Sequence, residues 1–305
     1  MIRMWIDACR PKTLVAALVP VVMGGLVFWI YGDKLHLGAK QDYLFTFFSC
    51  LGFALSAQIL SNFSNDLGDS LRGADNHHRV GPQRAVANGL ISTRAMKIAM
   101  GVVITLASIA GWKLGIRHPI LFIPATLALI LAMGYTLGPF PFAYHGLGDV
   151  FVVACFGLQA TALTVYALYL EVGATVACEM PWTPALIAGL GVGLLANNIL
   201  IANNTRDMET DAAAAKKTLV VRWGRTFAKF HYSFNLFVGI LCLNYVFGPL
   251  PLVIMPLAFW QMAGFWKAQT AQEFVPFLSR AAILMLFTAL LCVTATCLGW
   301  IPVKF

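Results

Sequence analysis

The chain has 305 residues, of which 59% are hydrophobic and only 11% are charged, and its mean hydropathy is +0.77. This composition excludes an ordinary soluble domain and predicts a polytopic membrane protein. The net charge of +8 does not indicate a nucleic-acid partner, because the basic residues stand between apolar segments. Seven cysteines without a C-x-x-C pair predict neither a disulfide framework nor a zinc site.

Apolar runs of membrane-spanning length follow one another along the whole chain. They predict nine transmembrane helices in a single all-α domain, residues 1–305, with no cleavable signal peptide. The predicted spans are 13–31, 42–62, 95–116, 119–137, 147–170, 183–204, 228–247, 250–267 and 280–302. An odd number of spans places the two termini on opposite sides of the lipid bilayer.

Basic residues are distributed unevenly between the two sides. Sixteen of the 21 lysines and arginines fall at the N-terminus or after even-numbered spans, leaving Lys34, Lys40, Lys113, Arg117 and Lys304 opposite. The positive-inside rule therefore predicts a cytoplasmic N-terminus. It also places the two longest polar loops, about 63–94 and 205–227, on the cytoplasmic side.

The first polar stretch begins inside an apolar helix and runs from Gln58 to Gly89. A helix over this stretch would have one polar face, although a membrane helix is expected to be apolar. That face carries Gln58, Asn62, Asn65, Asp66, Asp69 and Gly73. Three carboxylates and two amide oxygens form the all-oxygen set that Mg²⁺ prefers, namely Asp66, Asp69, Asp75, Asn62 and Asn65. Such a cluster in a membrane helix indicates a functional site.

Cationic Arg72, Arg79 and Arg84 stand just beyond these acidic residues. Carboxylates for a metal, flanked by guanidinium groups, are what binding of a diphosphate requires. The alternative is a solvated helix end, which rarely keeps every polar group on one stripe.

The second polar stretch, Asn197 to Arg225, has the same character. Its predicted helix carries Asn197, Asn204, Asp207 and Asp211 on one face, and Arg206, Lys216 and Lys217 lie close by. Carboxylates one turn apart can share a cation or hold two. The alternative is that the two stretches are unrelated hydrophilic loops.

Four further residues have two interpretations each. Arg10 and Lys12 either bind a substrate anion or anchor the first span at lipid head groups. Tyr135 either hydrogen-bonds substrate or is an interfacial aromatic. Asp149 either orients a partner or caps the fifth span.

The two acidic motifs, Asn65-Asp66-x-x-Asp69 and Asp207-x-x-x-Asp211, resemble those of the UbiA superfamily of intramembrane aromatic prenyltransferases. The finer pattern resembles its 1,4-dihydroxy-2-naphthoate polyprenyltransferase branch. That pattern comprises Arg10-Pro11-Lys12-Thr13, the run from Gln58 to Arg84, Gly134-Tyr135-Thr136 with Gly138-Pro139-Phe140-Pro141, Gly146-Leu147-Gly148-Asp149, Asn203-Asn204-x-Arg206-Asp207, and Lys216-Lys217-Thr218-Leu219. The match covers residues 10 to 225.

The resemblance implies a helical ring around a central cavity that opens to the cytoplasm and laterally to lipid, in the bacterial inner membrane. It implies a Mg²⁺-dependent enzyme with two ions that joins a polyprenyl diphosphate to 1,4-dihydroxy-2-naphthoate, releasing CO₂ and diphosphate and giving demethylmenaquinol. The implied catalytic residues are Asp66, Asp69, Asp207, Asp211 and Tyr135, and the metal ligands are Asn65, Asp66, Asp69, Asp75, Asp207 and Asp211. The implied substrate-binding residues are Arg10, Lys12, Gln58, Asn62, Arg72, Arg79, Arg84, Asn204, Arg206, Lys216 and Lys217.

The sequence departs from the family pattern at two places. Where the superfamily often has a third carboxylate in the first motif, this chain has Gly73, with Asp75 two residues later. His145 stands where many relatives have a basic residue.

Besides this function, three alternatives remain compatible with the sequence. One is a prenyltransferase for another aromatic acceptor, such as 4-hydroxybenzoate or homogentisate. Another is a secondary transporter for a divalent cation or organic anion, although transporters hold such carboxylates near the membrane midplane. A purely structural membrane protein is the remaining alternative.

Overall fold

A computed structural model describes residues 2–32, 40–74, 80–81, 84–171 and 180–300, and every regular element in these ranges is a helix. The predicted all-α fold is confirmed. The α-helices are α1 (Ile2–Cys9), α2 (Val15–Gly32), α3 (Lys40–Leu71), α4 (Thr93–Arg117), α5 (Phe122–Gly134), α6 (Gly148–Phe151), α7 (Ala160–Glu171), α8 (Trp182–Arg206), α9 (Met208–Ala213), α10 (Leu219–Phe247), α11 (Met255–Lys267) and α12 (Ala271–Cys297). A π-helical segment, Val152–Gln159, joins α6 to α7.

Six helical segments of the described chain are long and apolar enough to cross a membrane: α3, α4, the continuous α6–α7 segment, α8, α10 and α12. The bent pair of α1 and α2, with 48° between its halves, would make a seventh. The helical segment containing α5, Pro119–Gly134, is shorter, and α11 has only 13 residues. The predicted number of nine spans is therefore not confirmed by these lengths.

Helix α8 is the centre of the bundle, and most of its length is buried. It packs against α2, the π-helical segment, α10 and α12. Its glycines allow these helices to approach closely: a Cβ atom on Gly193 would lie 3.0 Å from the Cα of Gly157. The Gly189-x-Gly191-x-Gly193 pattern is thus a packing surface.

Helix α3 carries the first polar stretch beyond the apolar bundle. Its 32 residues span about 48 Å, more than the ~30 Å of bilayer hydrocarbon. The helix stops at Leu71 because Gly73 adopts a left-handed conformation with φ 69°, while the Ala74 N–H donates to the Asp69 carbonyl at 3.0 Å. Gly73 is therefore a helix terminator, so the helix has no position for a third carboxylate there.

Two hydrophobic clusters hold the bundle together. One joins α2, α7, α8, α10 and α12, and the other joins α1, α3 and α4 with α5 packed against it. The two polar stretches meet at one end of this structure.

Candidate active site

Asp66 lies near the end of α3 and is buried. Its Oδ2 accepts a hydrogen bond from the Ala85 N–H and its Oδ1 accepts one from the Val86 N–H, each at 3.1 Å. The carboxylate therefore fixes the segment that returns from the first loop. Each oxygen keeps a second lone pair for another ligand.

Lys216 joins the two polar stretches. Its Nζ lies 3.4 Å from Asp69 Oδ2 and 3.5 Å from Asp211 Oδ1, and all three side chains are nearly buried. The Tyr144 hydroxyl donates to Asp69 Oδ1 at 3.0 Å. Carboxylates that are distant in sequence are thus held around one buried ammonium group.

Asp207 is bound by its neighbour Arg206. The guanidinium Nε and Nη2 donate to the two carboxylate oxygens at 2.7 Å each, and Nη2 also donates to Asn203 Oδ1 at 2.8 Å. Both charged side chains are buried, which makes this a bidentate pair of the strong kind.

The second motif does not lie on one continuous helix, and that prediction was wrong. Helix α8 ends at Arg206, Asp207 leaves the helical region with φ −91° and ψ 10°, and α9 begins at Met208. The Asp207 carbonyl accepts from the Thr210 hydroxyl at 2.9 Å and from the Asp211 N–H at 2.8 Å, in the first turn of α9. The break turns Asp211 toward Lys216 while Asp207 remains with Arg206.

Arg72 and Asn65 hold the turn that follows α5. Arg72 Nη2 donates to the Gly138 carbonyl at 2.9 Å, Nη1 donates to the Thr136 carbonyl, and the guanidinium lies 5.2 Å from the Tyr144 ring centroid. The Thr136 hydroxyl donates to Asn65 Oδ1 at 3.0 Å. These contacts bring Tyr144 and the acidic end of α3 together.

The N-terminal segment is attached to α3 by a second polar network. Asn62 Nδ2 donates to the Cys9 carbonyl at 2.9 Å and to Thr13 Oγ1 at 3.1 Å, and Gln58 Nε2 donates to Thr13 Oγ1 at 3.2 Å. Arg10 has an unusual left-handed backbone with φ 50° and donates to the Asn62 carbonyl. Strained backbone of this kind clusters at functional sites.

A cavity of about 820 Å³ connects these polar groups to the apolar interior. Its polar end includes Arg10, Lys12, Gln58, Asn62, Asn65, Asp66, Arg84, Asn203, Arg206 and Tyr135. The remaining wall is mostly aliphatic and aromatic. Asp69, Asp207 and Asp211 do not line this cavity. Their carboxylates therefore lie behind the residues that form its wall.

The other predicted site residues occupy varied positions. Asn204 is buried, whereas Lys12 and Lys217 are exposed. Asp75 and Arg79 lie outside the described residues.

Asp149 lies in the first turn of α6 and also contacts side chains of other helices. Its Oδ1 accepts from Asn197 Nδ2 at 3.2 Å and lies 3.7 Å from His231 Nδ1, and a carboxylate in the first turn of a helix is also favoured by the helix dipole. The contacts fit an orienting role and the position in the first turn fits a capping role, so both interpretations of Asp149 remain.

The acidic side chains of the two polar stretches bear directly on the predicted metal site. Within the described part of the chain, no group of three or more histidine, cysteine, aspartate or glutamate side chains is assembled to hold a metal ion. The donor chemistry nevertheless fits Mg²⁺, since Asp66, Asp69 and Asp211 supply only oxygens. A cation, the Lys216 ammonium, already lies between two of these carboxylates.

Sequence reasoning missed Tyr144 and the amides of Ala85 and Val86. Nothing periodic distinguishes Tyr144 within its short 3₁₀ helix, Phe142–His145, and backbone amides leave no signal in a sequence. Burial, and then the negative charge of Asp69, raise the pKa of Tyr144 well above its usual value. The hydroxyl therefore remains a donor to that carboxylate.

Comparison with known proteins places the molecule in a class. The chain belongs to the UbiA prenyltransferase family, whose model matches residues 17–275. Membership confirms the predicted prenyltransferase class and the integral-membrane fold.

Its relatives include proteins named 1,4-dihydroxy-2-naphthoate octaprenyltransferase. The Haemophilus influenzae protein is 30% identical, with coverage of 95% of this chain and 94% of the relative. The Mycobacterium tuberculosis protein is 32% identical, with 97% coverage of each. The Escherichia coli protein is 33% identical, with coverage of 78% and 74%.

Solved structures agree in fold. A UbiA homolog from Archaeoglobus fulgidus, bound to GPP and Mg²⁺, superimposes with a TM-score of 0.58 over 96% of this chain and 99% of that chain, at 18% identity. A structure of digeranylgeranylglyceryl phosphate synthase gives a TM-score of 0.53 at 17% identity, with coverage of 97% and 98%.

Proposed function

We propose that this protein transfers a polyprenyl group from an all-trans polyprenyl diphosphate to 1,4-dihydroxy-2-naphthoate, with loss of CO₂ and diphosphate, giving demethylmenaquinol. The observation that carries this proposal is one cavity with a charged end and an apolar body. An amphipathic donor with a diphosphate head and a hydrocarbon tail matches that arrangement. The names of the relatives supply the acceptor.

The charged end suits a diphosphate. Arg84 and Arg206 are buried and line the cavity, and Lys216 lies behind them beside Asp69. Guanidinium groups bind phosphate oxygens in pairs and stabilise the charge that develops on a leaving diphosphate. Arg72 supports this end through its bonds to the turn after α5. Asn204, Lys217 and Arg79 are proposed as further residues that bind the donor.

Mg²⁺ would be held by Asp66, Asp69, Asp207, Asp211 and Asn65, with Asp75 as a further candidate. When bound, the metal neutralises negative charge on the leaving group. We propose two ions, one for each acidic motif. The solved structure of the Archaeoglobus fulgidus homolog is bound to GPP and Mg²⁺.

The acceptor is proposed to lie beside the N-terminal network. Arg10 and Lys12 line the cavity next to Gln58 and Asn62, where they can pair with the naphthoate carboxylate. Tyr135 lines the cavity as well and is proposed to hydrogen-bond the substrate.

The reaction breaks the donor C–O bond, whose electron pair goes to the diphosphate, and forms a new C–C bond to the naphthalene ring. The ring loses its carboxyl group as CO₂. The allylic cation that forms requires a site without water, and the apolar body of the cavity excludes it.

The proposed location is the bacterial inner membrane, with nine spans, cytoplasmic N-terminus and active-site loops, and the C-terminus opposite. The excess of arginine and lysine around the two polar stretches supports this orientation. Under this topology both substrates meet the charged end of the cavity from the cytoplasmic half of the bilayer.

The decisive experiment is an assay of purified protein in lipid with an all-trans polyprenyl diphosphate, with and without Mg²⁺. The acceptors 1,4-dihydroxy-2-naphthoate and 4-hydroxybenzoate are offered side by side. Prenylated, decarboxylated naphthoquinol formed only with Mg²⁺ is the expected product. Product from hydroxybenzoate alone would contradict the acceptor, and no product from either would contradict the prenyltransferase proposal.

A further inference from the structure

A buried carboxylate–imidazole pair lies behind the cavity, apart from the two acidic motifs. Asp149 Oδ1, in the first turn of α6, is 3.7 Å from His231 Nδ1 on α10 and accepts from Asn197 Nδ2 on α8 at 3.2 Å. Asp149 is 6% exposed and Asn197 is 1% exposed. An ionisable side chain buried within a membrane-spanning segment indicates a function, and binding of the diphosphate or of Mg²⁺ does not use this one.

The partner of Asp149 allows the pair to gain and lose a proton. Among the described residues, Asp149 forms its ion pair with a histidine and not with an arginine or a lysine. A guanidinium group never releases its proton, whereas an imidazole exchanges one near neutral pH. Both contacts of Asp149 with Asn197 and His231 use Oδ1, so the lone pairs of Oδ2 remain for a further donor.

Tyr135 connects this pair to the cavity. Its side chain lines the cavity, and a Cβ atom on Gly148 would lie 2.7 Å from its hydroxyl oxygen. The hydroxyl group therefore rests on the first turn of α6, at the residue before Asp149. In the described chain, Asp149 and His231 do not line the cavity, so Tyr135 is the group through which they can act on a bound acceptor.

The proposed reaction needs a place for one proton. As the ring carbon that bears the carboxylate forms its bond to the allylic carbon, the neighbouring hydroxyl group becomes a ketone and its O–H bond breaks. When the bond to the carboxylate then breaks, CO₂ leaves, its electron pair stays on the ring, and the ketone oxygen takes a proton back. A group that stores the proton between these two steps keeps the reaction balanced.

We infer that Asp149 and His231, acting through the Tyr135 hydroxyl, take up the proton of the acceptor hydroxyl group during prenylation and return it when CO₂ leaves. The Tyr135 oxygen receives the acceptor proton as its own proton passes to Asp149 and then to the imidazole, which pairs as a cation with the carboxylate. Asp149 and His231 are positioning residues in this scheme, because Tyr135 contacts the acceptor. The inference rests on the proposed function and identifies the groups that deprotonate its acceptor.

The test is a double-mutant cycle between Asp149 and Tyr135. Asp149→Asn keeps the size of the side chain but cannot store the proton, so kcat is expected to fall about a hundredfold with an unchanged KM for the polyprenyl diphosphate. Tyr135→Phe should cause a similar fall, and the double variant should be at most about twofold slower than Tyr135→Phe, since phenylalanine already interrupts the route. Losses that multiply in the double variant would mean independent roles and would overturn the inference.

The chain offers a matched control in a second carboxylate–imidazole pair. Glu171 Oε1 lies 3.3 Å from His118 Nε2, and Glu171 is 22 residues beyond Asp149 along α6–α7, about 33 Å away. Glu171→Gln and His118→Gln should leave kcat unchanged, and losses equal to that of Asp149→Asn would overturn the inference. If Asp149→Asn does not fold, His231→Gln replaces it in the cycle, with a fall of about tenfold that disappears in the Tyr135→Phe background.

A pH profile separates proton storage from a purely structural role. Without the pair, the reaction depends on acceptor whose hydroxyl group is already ionised in solution, so kcat/KM of Asp149→Asn for the naphthoate should rise by up to about tenfold per pH unit above neutral pH. The wild-type profile should rise much less. Parallel profiles would overturn the inference and leave the proposed function intact, whereas absence of wild-type turnover would overturn both.

Discussion

The Lys216 ammonium nitrogen lies 3.4 Å from the Asp69 carboxylate, across a sequence separation of 147 residues. The same nitrogen is 3.5 Å from Asp211. A buried lysine between two carboxylates is the position that a divalent cation would occupy in the proposed site. It also holds the two polar stretches together before any metal is bound.

Replacing Lys216 by Met is expected to destabilise the metal-free protein and to increase its response to Mg²⁺. The variant leaves the buried carboxylates without their shared cation, a loss of about 3 kcal/mol for a buried pair. Thermal unfolding in EDTA should show a melting temperature several degrees below wild type, and Mg²⁺ should recover most of the difference.

Lys217→Met is the matched control for this experiment, because Lys217 is the adjacent lysine and is exposed. It should leave the melting temperature in EDTA close to wild type. Equal shifts in the two variants would mean that net charge, rather than the bridge to Asp69, determines stability.

Asp66→Ala is expected to abolish turnover and to loosen the segment after the first loop, since it removes both acceptors for the amides of Ala85 and Val86. An unpaired buried amide destabilises by about 1–3 kcal/mol. Hydrogen exchange should be faster at residues 84–91 in Asp66→Ala than in Asp69→Ala, although both lose activity. Unchanged exchange would show that Asp66 does not hold this segment, and retained turnover in both variants would remove the metal assignment.

The contrast between these two aspartates shows what a sequence can and cannot predict. Their place on one polar face of α3 follows from helical periodicity. The closeness of oxygen ligands to cationic side chains follows from their order along the chain. The amide pair that binds Asp66 comes from a loop nineteen and twenty positions away, and loop geometry has no period to detect. Periodicity also misled at Asp207, where the backbone leaves the helical conformation and α8 ends.

Tyr144→Phe is expected to reduce turnover about tenfold, because a hydrogen bond to a charged group contributes about 1.5–3 kcal/mol. The variant keeps the ring beside Arg72 and removes only the donor to Asp69. The turnover rates of Tyr144→Phe and of wild type are measured with saturating Mg²⁺. Equal rates would mean that Tyr144 contributes only packing.

The pH dependence of this contact follows from the raised pKa of Tyr144. Because the pKa of Tyr144 is higher in the folded protein, the stabilisation that its neutral hydroxyl contributes is complete below the ordinary tyrosine pKa of about 10. That stabilisation is lost only as the pH rises through the higher pKa of the folded state. Wild type and Tyr144→Phe should therefore have parallel activity profiles from neutral pH up to that value. An alkaline limb near pH 9 that appears only in wild type would contradict this.

Arg206→Lys tests the bidentate pair with Asp207. Lysine keeps the charge but offers a single compact ammonium, so it cannot bond both carboxylate oxygens and Asn203 as the guanidinium does. We expect a large fall in kcat/KM for the polyprenyl diphosphate, about a hundredfold, with the protein still inserted and folded. Arg225→Lys is the control, because Arg225 pairs with the exposed Glu209 on the same side of the molecule, and exposed ion pairs contribute little. If both variants behaved like wild type, charge alone at Arg206 would suffice, and the fork geometry of its guanidinium would have no part in binding the donor.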